Sequence, residues 1–194
     1  MELGYIRFLE GTKPMAWRSK RKVMQAYDVT ADIYDERYSS EQHRKYCKVL
    51  ESVNFFKSTI LDVGCGSGMF LSEVAGKAKV VAGVDVSRKL LLKAKKCVAK
   101  NVHVVQADAD HLPFQEGTFN VAVSFTVLQN MPKPANTLQE IKRVTTKGGK
   151  IAVTGLKKAF PQTTFHDIIE ASGMQTTSFA GEEEINCYLA VLAV

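Results

Sequence analysis

The stretch Ile60-Leu61-Asp62-Val63-Gly64-Cys65-Gly66-Ser67-Gly68 decides how the rest of the chain is read. An apolar run that breaks into glycines at alternate positions marks a strand turning tightly into a helix. Without Cβ atoms such a turn lets a ligand approach the backbone, and the helix beyond it offers unsatisfied N–H groups. The spacing is G-x-G-x-G. A dinucleotide fingerprint, G-x-G-x-x-G, would place its third glycine where Met69 stands. Asp62, two residues before the first glycine, sits poorly beside a pyrophosphate of its own sign and suits a cationic ligand.

Outward from this turn, short strands rich in Val and Ile alternate with helical stretches. The strands are expected at residues 59–63, 80–85, 102–107, 120–124 and 150–154. Each is apolar on both alternations, as a parallel strand covered on both faces should be. Helices are expected at 68–76, at 87–100 with Ser87 as N-cap, and at 135–145, which the Gly148-Gly149 pair would end. A helix at 165–172 stopped by Gly173 and two strands at 174–179 and 185–191 follow, the strands close enough to pair as an antiparallel hairpin. The expected fold is α/β, a doubly wound, mostly parallel seven-stranded sheet closed by that hairpin. Residues 24–58 would form a helical N-terminal cover and 59–194 the core, together one domain at 24–194. Residues 1–23, with no clear period, are expected to be irregular.

Two further carboxylates end successive strands. Asp85 closes the second, about 20 residues beyond the glycines, where a carboxylate accepts hydrogen bonds from ribose hydroxyls. Asp108 closes the third. Open α/β sheets bind ligands at this edge, and three strand-end carboxylates there favour a nucleoside bearing a positive charge.

These residues resemble the class I S-adenosylmethionine-dependent methyltransferases, over about residues 27–156. ILDVGCGSG is similar to the family's first motif, VVAGVDVS to its ribose-binding strand, QADADHLPF to its adenine segment, and GTFNVAVS and RVTTKGGKIAVT to its fourth and fifth strands. The resemblance implies S-adenosylmethionine as cofactor and S-adenosylhomocysteine as product. It implies Asp62 and Gly64 near the methionine moiety, Asp85 at the ribose, and Asp108 and Ala109 at the adenine, with Cys65, Gly66, Gly68 and Val86 also binding the cofactor. Ser124 would face the methionine side, and Tyr27 or Tyr34 would lie over the cofactor.

No Asn/Asp-Pro-Pro-Tyr segment follows the fourth strand, where the chain reads Ser124-Phe125-Thr126-Val127, which argues against methylation of exocyclic amines. Cys97 and Cys187 are placed away from the cofactor turn, which argues against a covalent thiol mechanism. Direct displacement remains, with His111 and Asp110 as candidate bases and Thr126, Gln129 and Asn130 on the acceptor side.

The chain has 194 residues, a net charge of +6 and 45% apolar residues. Residues 161–194 carry no Lys or Arg, so the basicity lies upstream. No apolar run approaches the roughly 18 residues that cross a bilayer, and no secretory signal is read, so a cytoplasmic, non-membrane protein is expected. Cys47, Cys65, Cys97 and Cys187 lack metal-ligand spacing and no metal is expected. Lys133, Arg143, Lys157 and Lys158 are expected to rim an open crevice, which leans the acceptor towards RNA or a ribonucleoprotein. A small metabolite covered by the Tyr-rich segment is the alternative, and a catalytically inert cofactor-binding module is another. The strand at 102–105 is expected at an exposed edge, where a small activator protein could add.

Overall fold

A computed structural model describes residues 14–97, 99–181 and 185–194. The start of the N-terminal extension, Val98 and most of the loop expected between the last two strands lie outside the described residues. Among those described, seven strands form one sheet: β1 (Thr59–Val63), β2 (Val80–Asp85), β3 (Val102–Gln106), β4 (Phe119–Ser124), β5 (Thr145–Leu156), β6 (Gln175–Ala180) and β7 (Cys187–Ala193). Their order is β3-β2-β1-β4-β5-β7-β6. The first five are parallel, and β7 runs antiparallel to both β5 and β6. The reversal in strand order beside β1 opens a crevice at the carboxyl ends of β1 and β4, beyond the glycine turn.

The helices are α1 (Pro14–Thr30), α2 (Tyr34–Ser52), α3 (Met69–Ala75), α4 (Arg88–Cys97), α5 (Pro134–Val144) and α6 (Gln162–Glu170). The pleat of β1 sorts its side chains between two cores. Leu61 and Val63 pack with Leu138, Ile141 and Val144 of α5 and Phe165 and Ile169 of α6. Ile60 packs on the other face with Phe70, Leu71 and Val74 of α3, Leu91 of α4, and Tyr46 and Val49 of α2. α6 lies close on the sheet because Gly155 has no side chain: a Cβ there would stand 2.4 Å from the Phe165 ring. Ser87 caps α4 as expected, its hydroxyl accepting the Leu90 N–H at 3.2 Å.

Two expectations are corrected. α5 ends at Val144, before the glycine pair, and Gly148 (φ 75°) and Gly149 instead lie in an irregularity of β5. A Cβ on Gly149 would press on the Asn120 and Thr146 carbonyl oxygens at 2.8 Å, so the glycines serve the strand pairing, not the helix stop. The boundary at residue 23 also dissolves, since α1 begins at Pro14 and runs through it. Proline suits a first helical turn, whose N–H has no partner to lose. Both edges of the sheet, β3 and β6, are partly exposed.

Candidate functional site

A cavity of about 340 Å³ opens at the carboxyl edge of β1, β2, β3 and β4, under α1 and α2. Its size falls within the usual range for small-ligand sites. The sheet contributes Gly64, Val84, Asp85, Val86, Ala107, Asp108, Ala109 and the segment after β4, including Phe125, Thr126, Val127, Gln129 and Asn130. The helices contribute Lys20, Val23, Tyr27, Tyr34, Tyr38, Glu41, Gln42 and Lys45. The crevice is therefore roofed, not open.

The glycine turn is built as the sequence implies. Gly64, Gly66 and Gly68 all have positive φ, 82°, 55° and 86°, a conformation that side chains with a Cβ rarely adopt. A Cβ on Gly64 would come within 2.1 Å of Val127, and one on Gly66 within 3.3 Å of the Tyr34 ring. Asp85 fixes the turn, accepting the Gly66 N–H at 2.9 Å and the Ser87 N–H at 2.8 Å. Burial raises its pKa while those N–H bonds oppose the rise.

Asp62 lies behind the cavity wall, 2% exposed, and its Oδ1 has no partner. Burial, with the nearby Asp85 charge, holds its carboxyl well above the usual range. The Ser124 hydroxyl is also buried without a partner. Cys65 is buried, and burial together with Asp85 and Asp62 keeps it a thiol, not a nucleophilic thiolate. Glycines that leave the backbone bare, a carboxylate at each of two adjoining strand ends and an unanswered buried acid make a set that fits a nucleoside with a cationic amino-acid arm. Asp85 and Val86 would face its ribose, Asp108 and Ala109 its base, and Asp62 its charged end.

Tyr27 and Tyr34 both line the cavity, in edge contact with ring centroids 6.0 Å apart. The Tyr27 hydroxyl accepts from Asn130 Nδ2 at 3.2 Å, joining the roof to the acceptor side. Thr126, Gln129 and Asn130 line the wall as expected.

The candidate bases do not reach it. Asp110 lies outside the cavity lining and accepts from Lys20 Nζ and from the Thr137 hydroxyl, each at 2.5 Å, one on each of its oxygens. His111 is exposed and turned back, its N–H bonded to the Asp108 carbonyl. The residues expected as a basic rim do not line the cavity. Arg143 is committed to Glu140 and to the Phe114 and Leu112 carbonyls, Lys157 lies over the Tyr188 ring, and Lys133 and Lys158 are exposed outside the cavity lining. The cations that do line the cavity are Lys20 and Lys45, both buried and both from the roof.

Sequence reasoning missed these two. Lys20 Nζ holds both Asp108 oxygens at 2.8 and 2.7 Å across 88 residues, a pairing that no local pattern announces. Lys45 did leave a signal. Tyr38, Glu41, Gln42 and Lys45 share one helical face that continues into the buried Tyr46 and Val49, so polar residues stand on the inward stripe.

Known proteins share this fold. A family model described as a methyltransferase domain matches residues 61–153, from β1 through most of β5. A demethylmenaquinone methyltransferase of Staphylococcus epidermidis is 33% identical over 138 residues, 68% of this chain and 56% of that protein. The chain thus spans a little over half the length of that relative. Among solved structures, a SAM-dependent methyltransferase from Aquifex aeolicus superimposes with a TM-score of 0.67 at 22% identity, covering 76% of this chain and 88% of the other. Magnesium protoporphyrin IX methyltransferase from Synechocystis, with bound SAM, gives 0.76 at 14% identity over 90% and 96%. The matched domain begins on the strand that carries the glycine turn, and the chain carries a methyltransferase domain with the fold of S-adenosylmethionine-dependent methyltransferases.

Proposed function

We propose that this chain transfers a methyl group from S-adenosylmethionine to a small-molecule acceptor by direct displacement. The roofed cavity carries this reading: α1 and α2 lie over the turn, leaving a space of small-ligand size. The name of the staphylococcal relatives, demethylmenaquinone methyltransferase, points the same way, towards a small acceptor in place of RNA.

Bound S-adenosylmethionine supplies an electrophilic methyl carbon on a sulfonium. The protein's part is to bind, orient and exclude water, which is where most of the acceleration of a displacement arises. Gly64 and the turn after it give close backbone approach, and Asp85, Asp108 and Asp62 answer hydroxyl, amine and charge. Phe125, Val127, Met131 and Leu156 add apolar surface to the cavity wall.

Radiolabelled methyl transfer from S-adenosylmethionine into fractionated cell extract tests this. Label is expected in the low-molecular-weight fraction, unaffected by RNase or protease. Label confined to RNA or protein would reverse the choice of acceptor. Cofactor binding without any transfer would favour an inert binding module.

A further inference from the structure

Methylation of a neutral hydroxyl or amine releases a proton, and neither Asp110 nor His111 lies where it could take it. Three carboxylates line the cavity. Asp85 has both oxygens on N–H groups of the turn and Asp108 has both on Lys20. The third, Glu41, comes from α2 on the opposite side and is paired with Lys45, Nζ to Oε1 at 2.9 Å.

Lys45 is 1% exposed, although lysine is among the residues most rarely buried. Replacing such a pair by apolar side chains is often neutral or stabilising, so fold stability alone does not ask for it. Lys45 also donates to the Thr126 hydroxyl at 3.1 Å and faces the buried Cys187 thiol of β7. Thr126 itself has φ 62°, left-handed without being glycine. It is held there by its N–H to Thr154 Oγ1 at 2.8 Å and by its carbonyl, which accepts Gln129 Nε2 at 2.7 Å. Strain maintained at a cavity wall points to function. Beside it, Gln129 Oε1 and Gln42 Oε1 are buried without a partner. Donors and acceptors thus share the cavity wall with the apolar Phe125, Val127, Met131 and Leu156, an arrangement that a hydroxyl on an apolar skeleton, which both donates and accepts, can satisfy.

We propose that the Glu41–Lys45 pair and Thr126 form the acceptor anchor, taking a small molecule of apolar skeleton that bears a hydroxyl group. Lys45 and the Thr126 hydroxyl hold the acceptor oxygen. As the oxygen lone pair bonds to the methyl carbon, the carbon–sulfur pair returns to sulfur and the O–H proton passes to Glu41. This rests on the methyltransferase reading above.

The test uses the full chain saturated with S-adenosylhomocysteine and two fluorescent probes, 7-hydroxycoumarin and its methyl ether, 7-methoxycoumarin. The hydroxyl probe is expected to bind at least about tenfold more tightly than the ether. Lys45→Met should bring the two within about threefold, and Glu41→Gln should reduce the preference, because the bonds specific to the hydroxyl are lost. Calorimetric affinity for S-adenosylhomocysteine should stay within about twofold in both variants, because neither residue is placed at the cofactor. Should a single variant fail to fold, Glu41→Gln/Lys45→Met removes both charges together and should show no preference. A wild-type protein that binds S-adenosylhomocysteine but does not favour the hydroxyl probe, or a preference that survives the double substitution, overturns the proposal and leaves the methyltransferase reading standing. Failure to bind S-adenosylhomocysteine overturns both.

Discussion

Asp62 brings a carboxyl group to a place where no protein group answers its Oδ1. The pleat turns it to the same side as Ile60, towards α2 and α3, and burial raises its pKa, with a further contribution from Asp85. The folded protein therefore binds this proton more tightly than the unfolded chain does. Stability must then fall as pH rises from the ordinary carboxylate range through the raised value. Asp62→Asn removes that slope and should raise the unfolding temperature, more at about pH 8 than at about pH 5. Asp85, raised in the same direction, leaves a smaller residual slope. The cofactor reverses the preference, since the ammonium group of its amino-acid arm favours the ionised acid. S-adenosylhomocysteine affinity should therefore rise with pH over the same window in the wild type and flatten in Asp62→Asn. Calorimetry across a pH series checks both. A variant with unchanged stability and an unchanged binding slope would remove Asp62 from the methionine end.

Among the elements, α1 is unusual in what it buries. Its described apolar residues are half-buried or exposed, Val29 reaching 80%, while Lys20 is 5% exposed. The helix is moored by polar contacts: Lys20 to Asp108 and Asp110, and Asp28 to the Ser87 hydroxyl at 2.6 Å. Breaking a buried ion pair from one side typically costs about 3–5 kcal/mol, because a charge is left unanswered. Lys20→Met should lower stability by that order and speed hydrogen exchange in α1 while the β1 and β4 amides stay protected. Equal protection of α1 in the variant would show that Lys20 does not hold the helix. The same contrast explains what was legible in the sequence. The strands and α3 to α6 were readable because β-branched runs, Gly turns and the 3.6-residue period are local signals. So was the turn from Gly64 to Gly68, whose backbone requires glycine. Lys20 was not, because its partners are set by tertiary docking and not by spacing. The bases failed for the same reason: Asp110 looked free in a loop until a helix from far upstream arrived on it.

At the scale of the whole molecule, the folded core and α1 are separable in energy. The two apolar clusters draw on the sheet and on α2 to α6, and among the described residues neither includes one that precedes Tyr46. Burial of apolar area dominates folding free energy, so the sheet does not need α1 to fold. The cavity does need it, because Lys20, Val23 and Tyr27 line it and Tyr27 ties the roof to Asn130. A chain lacking residues 1–33 should therefore unfold cooperatively with mixed helix–strand circular dichroism, at a lower temperature. It should bind S-adenosylhomocysteine at least about tenfold more weakly, since a ligand left open to water on one side loses much of its apolar burial. If affinity were instead preserved, α1 would be a cover for the acceptor alone and the cofactor would be held by the sheet edge. If the shortened chain failed to fold, the ion pairs of α1 would be supplying stability that its meagre apolar burial does not suggest.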